Sequence, residues 1–465
     1  MVASPAFSVA GKRVVVVGAA RSGVAAAELL VRRGARVTLT DMRPTCDAAE
    51  PLRAQGVALE LGGHDPATLA GADLIVVSPG VSLRQPAFAL AAARGVETIG
   101  EIELASRWLN GRIIAVTGTK GKSTTVTLIG RMLEAGGGHV LVGGNIGVPL
   151  SAQVDASTAG TLHVVEVSSF QLETTTTLRP WIALWINLAD DHLDRHADLD
   201  EYAAAKARIF ANQGPDDFAV INADDPMVMR WSRNIAARTV AFSPSGRLAD
   251  GYMADGGWIV RCTATSTDRL VPVSAVELAG AHMLGNVVAA VAVAATAGAA
   301  TPAMTQALHG FRGLEHVMEP VATRAGVRFV NDSKATNVEA ARRSIESFDR
   351  GVVAIVGGRF KGGDLRALRE PLAARGRSVV AIGEAAPLVV EALAGVVPVV
   401  TAGSMREAVG LAYQAALPDG VVLLAPACAS FDWFADYAER GRAFKAEVER
   451  LRQKSGNREI ENLRD

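Results

Sequence analysis

A glycine turn followed by a lysine and two hydroxyls, Gly118-Thr119-Lys120-Gly121-Lys122-Ser123-Thr124, is the part of this chain best suited to chemistry. An apolar run at 113–116 precedes it and a helical pattern at 125–134 follows. A strand, a glycine loop and a helix start together form a cradle whose N–H groups and helix dipole face an anion. In such a cradle Lys122 neutralises phosphate charge and the Ser123 hydroxyl is placed to ligate Mg²⁺. A nucleoside triphosphate is the expected ligand. The common pattern, G-x-x-x-x-G-K-[ST], would put its first glycine at the position of Val116; here the glycine comes two residues later, at Gly118.

Other polar groups also cluster where apolar runs end. Glu166 closes one such run and precedes Ser168 and Ser169, and a strand-end acid beside a phosphate loop is a natural Mg²⁺ ligand. Residues 187–196 hold three aspartates and two histidines, His192 and His196, a density that favours a metal or substrate site over a solvated loop. Tyr202 and Lys206 follow, four apart on one helical face. A lysine near a metal cluster is electrostatically awkward unless it is modified or paired with an acid. The elbow at 331–337 opens a helix and offers Lys334 as a second phosphate contact. The loop at 357–363 carries two cations, and 425–430 ends a later run. Cys428 lies in apolar surroundings with no histidine near it in sequence, so it is not expected to be a nucleophile. Gly18 to Gly23 follows the first apolar run without the full G-x-G-x-x-G spacing; it suits a diphosphate better than a dinucleotide, with Asp41 placed for a ribose or base.

Alternating strands and helices must position these groups. Strands are expected at 14–17, 37–40 and 73–77, with a helix at 24–32. The rhythm restarts at 113 and runs through 164–167, 182–186 and 218–221, then restarts at 328–330, 352–356, 379–382 and 421–424. That is an α/β chain with mostly parallel sheets, which bind ligands at the carboxyl ends of their strands. A long helix is expected at 282–297 and a small β excursion between 241 and 273. The 465 residues suggest about three domains. Breaks near 110–111 and 311–313 give 1–110, 111–313 and 314–465. A hydrophobic content of 49% fits well-filled cores, and a formal charge of −1 offers no global field for nucleic acid or an anionic membrane. Three scattered cysteines and the lack of a signal-peptide pattern or a membrane-length apolar stretch lead us to expect a cytoplasmic monomer with no membrane insertion.

The ordered set resembles the Mur ligase family, the ATP-dependent amide-bond ligases of peptidoglycan precursor synthesis. The resemblance rests on the short phosphate loop, Gly143-Gly144-Asn145-Ile146-Gly147, the run from Glu166 to Glu173, Asp191-His192-Leu193-Asp194, and the stretches 331–337 and 426–430. Residues 168–173 and 332–337 point to the glutamate-adding branch. The resemblance implies three α/β domains: an N-terminal Rossmann-like domain for the UDP substrate, a central P-loop ATPase and a C-terminal Rossmann-like domain. It implies that ATP activates the carboxylate of UDP-N-acetylmuramoyl-L-alanine as an acyl phosphate, which the amine of D-glutamate attacks. Alternatives are a relative that adds L-glutamate or another amino acid, and a nucleotide-binding regulator without catalysis. Folylpolyglutamate synthetases share the later domains but leave the Gly18–Gly23 region unexplained.

Roles carry over by position. Gly118, Thr119, Gly121, Lys122, Ser123 and Thr124 would cradle the ATP phosphates, with Asn286 and Asp332 at the nucleoside and Lys334 near the transferred phosphoryl group. Ser123 and Glu166 would hold one Mg²⁺; His192 and a carbamylated Lys206 would hold a second. Ser22, Asp41 and Gly80 fall where the family binds uridine diphosphate, and Asn145 and Ser168 where it binds muramoyl-alanine. Thr336, Lys361 and Ser430 would take the glutamate carboxylates. Three positions depart from the family pattern. Val317 follows His316 where an arginine reaches ATP, so either Arg312 or another cation substitutes or ATP is held less tightly. Met283 follows His282 in place of an asparagine, and Tyr437 stands in place of a phenylalanine.

Overall fold

The computed structural model describes residues 7–189, 195–276, 281–311 and 313–461. Two compact units divide the chain, Met1–Phe311 and Arg312–Asp465. The first unit holds two sheets. Its N-terminal sheet comprises β1 (Arg13–Val17), β2 (Arg36–Asp41), β3 (Ala58–Leu61), β4 (Leu74–Val77) and β5 (Thr98–Gly100), in the order β3-β2-β1-β4-β5. All of its neighbours pair in parallel. The strand order reverses between β1 and β4, the place where open α/β sheets bind ligands.

The second sheet of this unit comprises β6 (Arg112–Thr117), β7 (His139–Gly144), β8 (Thr161–Glu166), β9 (Ile182–Trp185), β10 (Phe218–Asn222), β11 (Arg238–Ser243), β12 (Gly251–Asp255), β13 (Trp258–Cys262) and β14 (Thr267–Pro272). Their order is β14-β13-β12-β11-β10-β9-β6-β8-β7. β6 is parallel to both β8 and β9, so the residues that end all three strands come to one edge. The expected excursion is the antiparallel extension made by β13 and β14. Val116, standing where a longer phosphate loop would begin, is fully buried on β6 in register with Glu166, so the loop starts only at Gly118.

The second unit has β15 (Glu319–Arg324), β16 (Val327–Asn331), β17 (Val352–Gly357), β18 (Gly376–Ile382), β19 (Val399–Ala402) and β20 (Val421–Leu424), in the order β15-β16-β20-β17-β18-β19. Only β15 runs antiparallel. Because β20 lies between β16 and β17, the loops at 331–337, 425–430 and 357–363 leave adjacent strands. Backbone bonds join them: Asp332 N to Leu424 O at 2.9 Å, Ala427 N to Ala335 O at 2.9 Å, and Arg359 N to Ala429 O at 2.9 Å. Among the described residues no helix is long and apolar enough to cross a membrane.

The helix Glu101–Ser106 fastens the two sheets of the first unit together. Glu103 is fully buried and accepts from the N–H groups of Thr176, Thr177 and Leu178, both threonine hydroxyls and Arg107 Nε, at 2.6–3.1 Å. Burial pushes its pKa up, but these donors outweigh that and hold it below its ordinary value. Glu101, on the same helix, is poorly compensated. It takes one bond, from Ser151 N at 2.6 Å, and its Oε2 is buried without a partner. Burial raises its pKa from 4.5 to about 6. A carboxyl that is more basic when folded favours the fold below pH 4.5, and that advantage is lost as pH rises through about 6. Glu101→Gln removes the charge, and the buried Ser151 Oγ, which has no partner, can accept from the new amide. The variant should therefore unfold a few degrees above wild type at pH 8 and with it at pH 4, as followed by circular dichroism.

Candidate nucleotide and substrate site

The phosphate loop is shaped by one close contact. Gly121 has φ +83°, and a Cβ there would lie 2.1 Å from Asn286 Oδ1. Only glycine lets the loop close against the helix Ala281–Thr296. The helix Lys122–Ala135 begins immediately afterwards, three residues earlier than its apolar pattern, with Thr125 N bonded to Gly121 O at 3.0 Å. Lys122 Nζ donates to Gly118 O at 2.8 Å and Thr119 O at 3.0 Å, so its ammonium caps its own loop. The side chain of Asn187, just past β9, clamps the same loop. Its Oδ1 accepts from Thr119 N at 2.9 Å and Lys120 N at 3.0 Å, and its Nδ2 donates to Lys120 O at 3.1 Å. Asn187 opens the polar run at 187–196 expected to form a metal or substrate site, and here its side chain shapes the phosphate loop.

Ser123 Oγ donates to Glu166 Oε2 at 2.7 Å, and Asn145 Nδ2 donates to Glu166 Oε1 at 2.9 Å. β6, β8 and the turn after β7 thus bring Ser123, Glu166 and Asn145 together. Glu166 is buried, leaving one carboxylate edge and one hydroxyl beside the loop. Hard oxygen donors of this kind suit Mg²⁺, which keeps several waters and shares phosphate oxygens. Among the described residues no group of three or more His, Cys, Asp or Glu converges to hold a metal. His192 lies outside the described residues. Ser168 caps the short helix Ser169–Leu172 in a capping box with Gln171, which fixes its hydroxyl near this edge.

Lys206 is brought to the phosphate loop. It is 1% exposed on the helix Leu199–Ala207, with Nζ 2.9 Å from Gly118 O and 4.4 Å from the Tyr202 ring centre. The buried Tyr202 hydroxyl is 3.4 Å from Thr119 Oγ1. Lys122, Ser123, Glu166 and Lys206 therefore all border one loop.

At the N-terminal sheet, Gly18 packs against Ser78, whose Oγ donates to Gly18 O at 3.0 Å across the β1/β4 switch point. Asp41 Oδ2 accepts from Ala19 N at 2.6 Å, and Asp41 also takes the Arg43 N–H and guanidinium. Burial pushes the Asp41 carboxyl up, but the Arg43 guanidinium and the two N–H groups win and hold it at about 2. Ser22, on the helix Arg21–Arg32, and Gly80, after β4, border the same crevice. Arg43, whose guanidinium pairs with Asp41, places a cation beside this strand end.

In the second unit Asp332 is buried, accepts from Met318 N at 3.1 Å and bonds to Ser344 Oγ. Burial raises its pKa. Lys334 and Thr336 follow it in the elbow, Ser430 is buried in the neighbouring loop, and Lys361 is exposed on the third. Arg440 ties the first two loops together. This buried guanidinium donates to Ser333 Oγ, Ser333 O and Cys428 O at 3.0–3.1 Å, and burial pushes it down to about 10. The Cys428 thiol is pushed up to about 11 by burial, which makes it a poor nucleophile, as expected.

The departures have physical settings. Met283 offers its sulfur to Asn286 Nδ2 at 3.8 Å. Tyr437 meets His316 edge-on at 6.2 Å and accepts from Ser333 Oγ at 2.7 Å through its carbonyl. Val317 carries no charge to its neighbours, and Arg312 lies outside the described residues.

Comparison with known proteins agrees with this layout. Residues 12–100 match the model of the Mur ligase MurD-like N-terminal domain. Residues 116–294 match the Mur ligase middle domain, and 318–428 match the Mur ligase, glutamate ligase domain. The chain is 46% identical over 440 residues to the UDP-N-acetylmuramoylalanine–D-glutamate ligase of Acidobacterium capsulatum, covering 94% of this chain and 95% of that one. It is 42% identical over 447 residues to the enzyme of the same name from Pelotomaculum thermopropionicum, covering 95% and 98%. Among solved structures, the UDP-N-acetylmuramate-alanine ligase of Thermotoga maritima shares the fold with a TM-score of 0.54 at 17% identity, covering 95% of this chain and 100% of that one. A pseudomurein peptide ligase from Methanothermus fervidus does so with a TM-score of 0.53 at 18% identity, covering 95% and 100%.

Proposed function

The chain belongs to the Mur ligase family, and we propose that it joins D-glutamate to UDP-N-acetylmuramoyl-L-alanine with ATP in peptidoglycan precursor synthesis. One observation ties the ATP-dependent step to this chain's own side chains. The Ser123–Glu166 pair stands at 2.7 Å beside a loop already bordered by Lys122 and Lys206, a setting for a phosphoryl group and its counter-charge. ATP supplies the phosphoryl group that converts the alanyl carboxylate to an acyl phosphate; the amine of D-glutamate attacks that carbonyl carbon, inorganic phosphate leaves, and the nitrogen loses a proton as the amide forms.

The chain's own residues then position and neutralise. Gly118, Thr119, Gly121 and Thr124 line the phosphates, and the ammonium of Lys122 neutralises their charge. Ser123 and Glu166 hold one Mg²⁺, whose charge offsets that of the phosphates. His192 and a carbamylated Lys206 hold a second. Asn286 and Asp332 contact the nucleoside, and Lys334 meets the phosphoryl group in transfer. Ser22, Asp41 and Gly80 take the uridine diphosphate, and Asn145 and Ser168 the muramoyl-alanine. Thr336, Lys361 and Ser430, one cation and two hydroxyls, take the glutamate carboxylates. The domains are 1–110, 111–313 and 314–465, and the protein acts as a cytoplasmic monomer.

A phosphate-release assay tests this. Release should require ATP, UDP-N-acetylmuramoyl-L-alanine and D-glutamate together and stay at background with L-glutamate. Release with L-glutamate instead would reassign the amino acid. Background rates with every amino acid would favour a nucleotide-binding regulator.

A further inference from the structure

We infer that Arg195 is a positioning residue that couples nucleotide-sugar binding at the N-terminal sheet to the geometry of the phosphate loop. The inference rests on the ligand sites just proposed. Arg195 Nη2 donates to Val81 O at 3.2 Å, in the loop that follows β4 and Gly80. The same nitrogen lies 3.3 Å from Glu173 Oε2, and the guanidinium sits over the Phe170 ring, 4.7 Å from its centre. From there the contacts are continuous. Phe170 stacks on His196 at 5.6 Å, and His196 meets Tyr202 at 5.1 Å. Tyr202 reaches Thr119 through its hydroxyl and Lys206 through its ring face, and Lys206 bonds to Gly118 O. A second tie runs alongside: Arg84, three residues past Val81, pairs with Glu201 on the helix that carries Tyr202 and Lys206.

This path is not what holds the two sheets together. The Glu103 cluster already does that, fully buried and with all its donors in place. Arg195 instead joins two loops that ligands would occupy. A nucleotide sugar that orders the loop at 78–84 fixes Val81 O. That sets Arg195, and through the aromatic stack it sets Tyr202 and Lys206 against Gly118 and Thr119. Each ligand then binds better to the arrangement that the other selects.

Equilibrium binding of a non-hydrolysable ATP analogue to the full chain, with and without saturating UDP-N-acetylmuramoyl-L-alanine, reads the coupling. In wild type the nucleotide sugar should tighten analogue binding by roughly fivefold or more. In Arg195→Ala each ligand alone should bind within about twofold of wild type while the coupling factor falls to about one. Arg195→Lys keeps the charge facing Glu173 but loses the flat guanidinium on Phe170, and should retain part of the factor. An intact factor in Arg195→Ala, or none in wild type that binds both ligands, overturns the inference. So does a joint loss of both affinities and of thermal stability in both variants, which would mark a purely structural role. If wild type binds neither ligand, the proposed function itself fails.

Discussion

Lys206→Ala should lower the turnover number by about a thousandfold, and millimolar formate or acetate should restore part of it. The side chain is 1% exposed, and its Nζ is 2.9 Å from Gly118 O, so it borders the loop that would bind phosphate. As an ammonium it would compete with a nearby Mg²⁺ for the same region. As a carbamate it becomes an anion with two oxygens, a ligand of the kind Mg²⁺ takes. A small carboxylate entering the cavity left by alanine would replace the carbamate oxygens but not a lost ammonium. Rescue therefore separates the two roles. Steady-state phosphate release with a series of carboxylates measures it. Unimpaired turnover in Lys206→Ala would sink the carbamate. Rescue by ethylamine but not by formate would show that the ammonium is the working form.

Much of the site was legible because its residues follow strands that are buried on both faces. The runs that became β1, β4, β6, β8, β9, β17 and β20 are nearly uninterrupted aliphatic stretches, and such runs can be read without periodicity. The strands that escaped notice lie mostly at sheet edges. β3 is half exposed throughout, β7 ends in Gly143-Gly144, and β15 carries Pro320 and alternates irregularly. Their pairing comes from neighbours, not from their own composition. The same division holds for side chains. Lys122, Ser123 and Glu166 sit at fixed offsets from a glycine turn, so local sequence marks them. Arg440 reaches Ser333 from 107 positions away, and Glu103 closes on Thr176–Leu178 from more than 70. Such partners are set by strand order, above all by β20 lying between β16 and β17, which a single sequence does not display. The early start of the phosphate-loop helix belongs with these. Lys122, Ser123 and Thr124 are polar and carry no apolar pattern, yet Gly121 at φ +83° makes them the first helical turn.

Lys122→Ala should reduce kcat/KM for ATP by about a thousandfold and weaken an ATP analogue at equilibrium, while leaving nucleotide-sugar affinity unchanged. The lysine's bonds to Gly118 O and Thr119 O are made by one ammonium at the part-buried edge of the loop, and bonds of this charged kind are worth about 2 kcal/mol each. The fold should survive their loss, because Asn187 still clamps the loop from the opposite side through Thr119 N and Lys120 N. The ammonium can leave two neutral acceptors for a polyanion because both partners of the new bonds are then charged. Lys122→Arg tests whether position or charge matters more. The guanidinium keeps the charge but is wider than the ammonium, and Gly121 leaves no room beside Asn286 for the loop to shift. The arginine variant should thus recover only a small part of the lost rate. Calorimetric titration with the ATP analogue and a thermal melt of each variant separate these effects. A melt lowered by several degrees, or nucleotide-sugar affinity lost in parallel, would mean that Lys122 holds the loop itself and not the phosphates. An unchanged kcat/KM for ATP would place the phosphate contact elsewhere, with Lys334 the next cation to test.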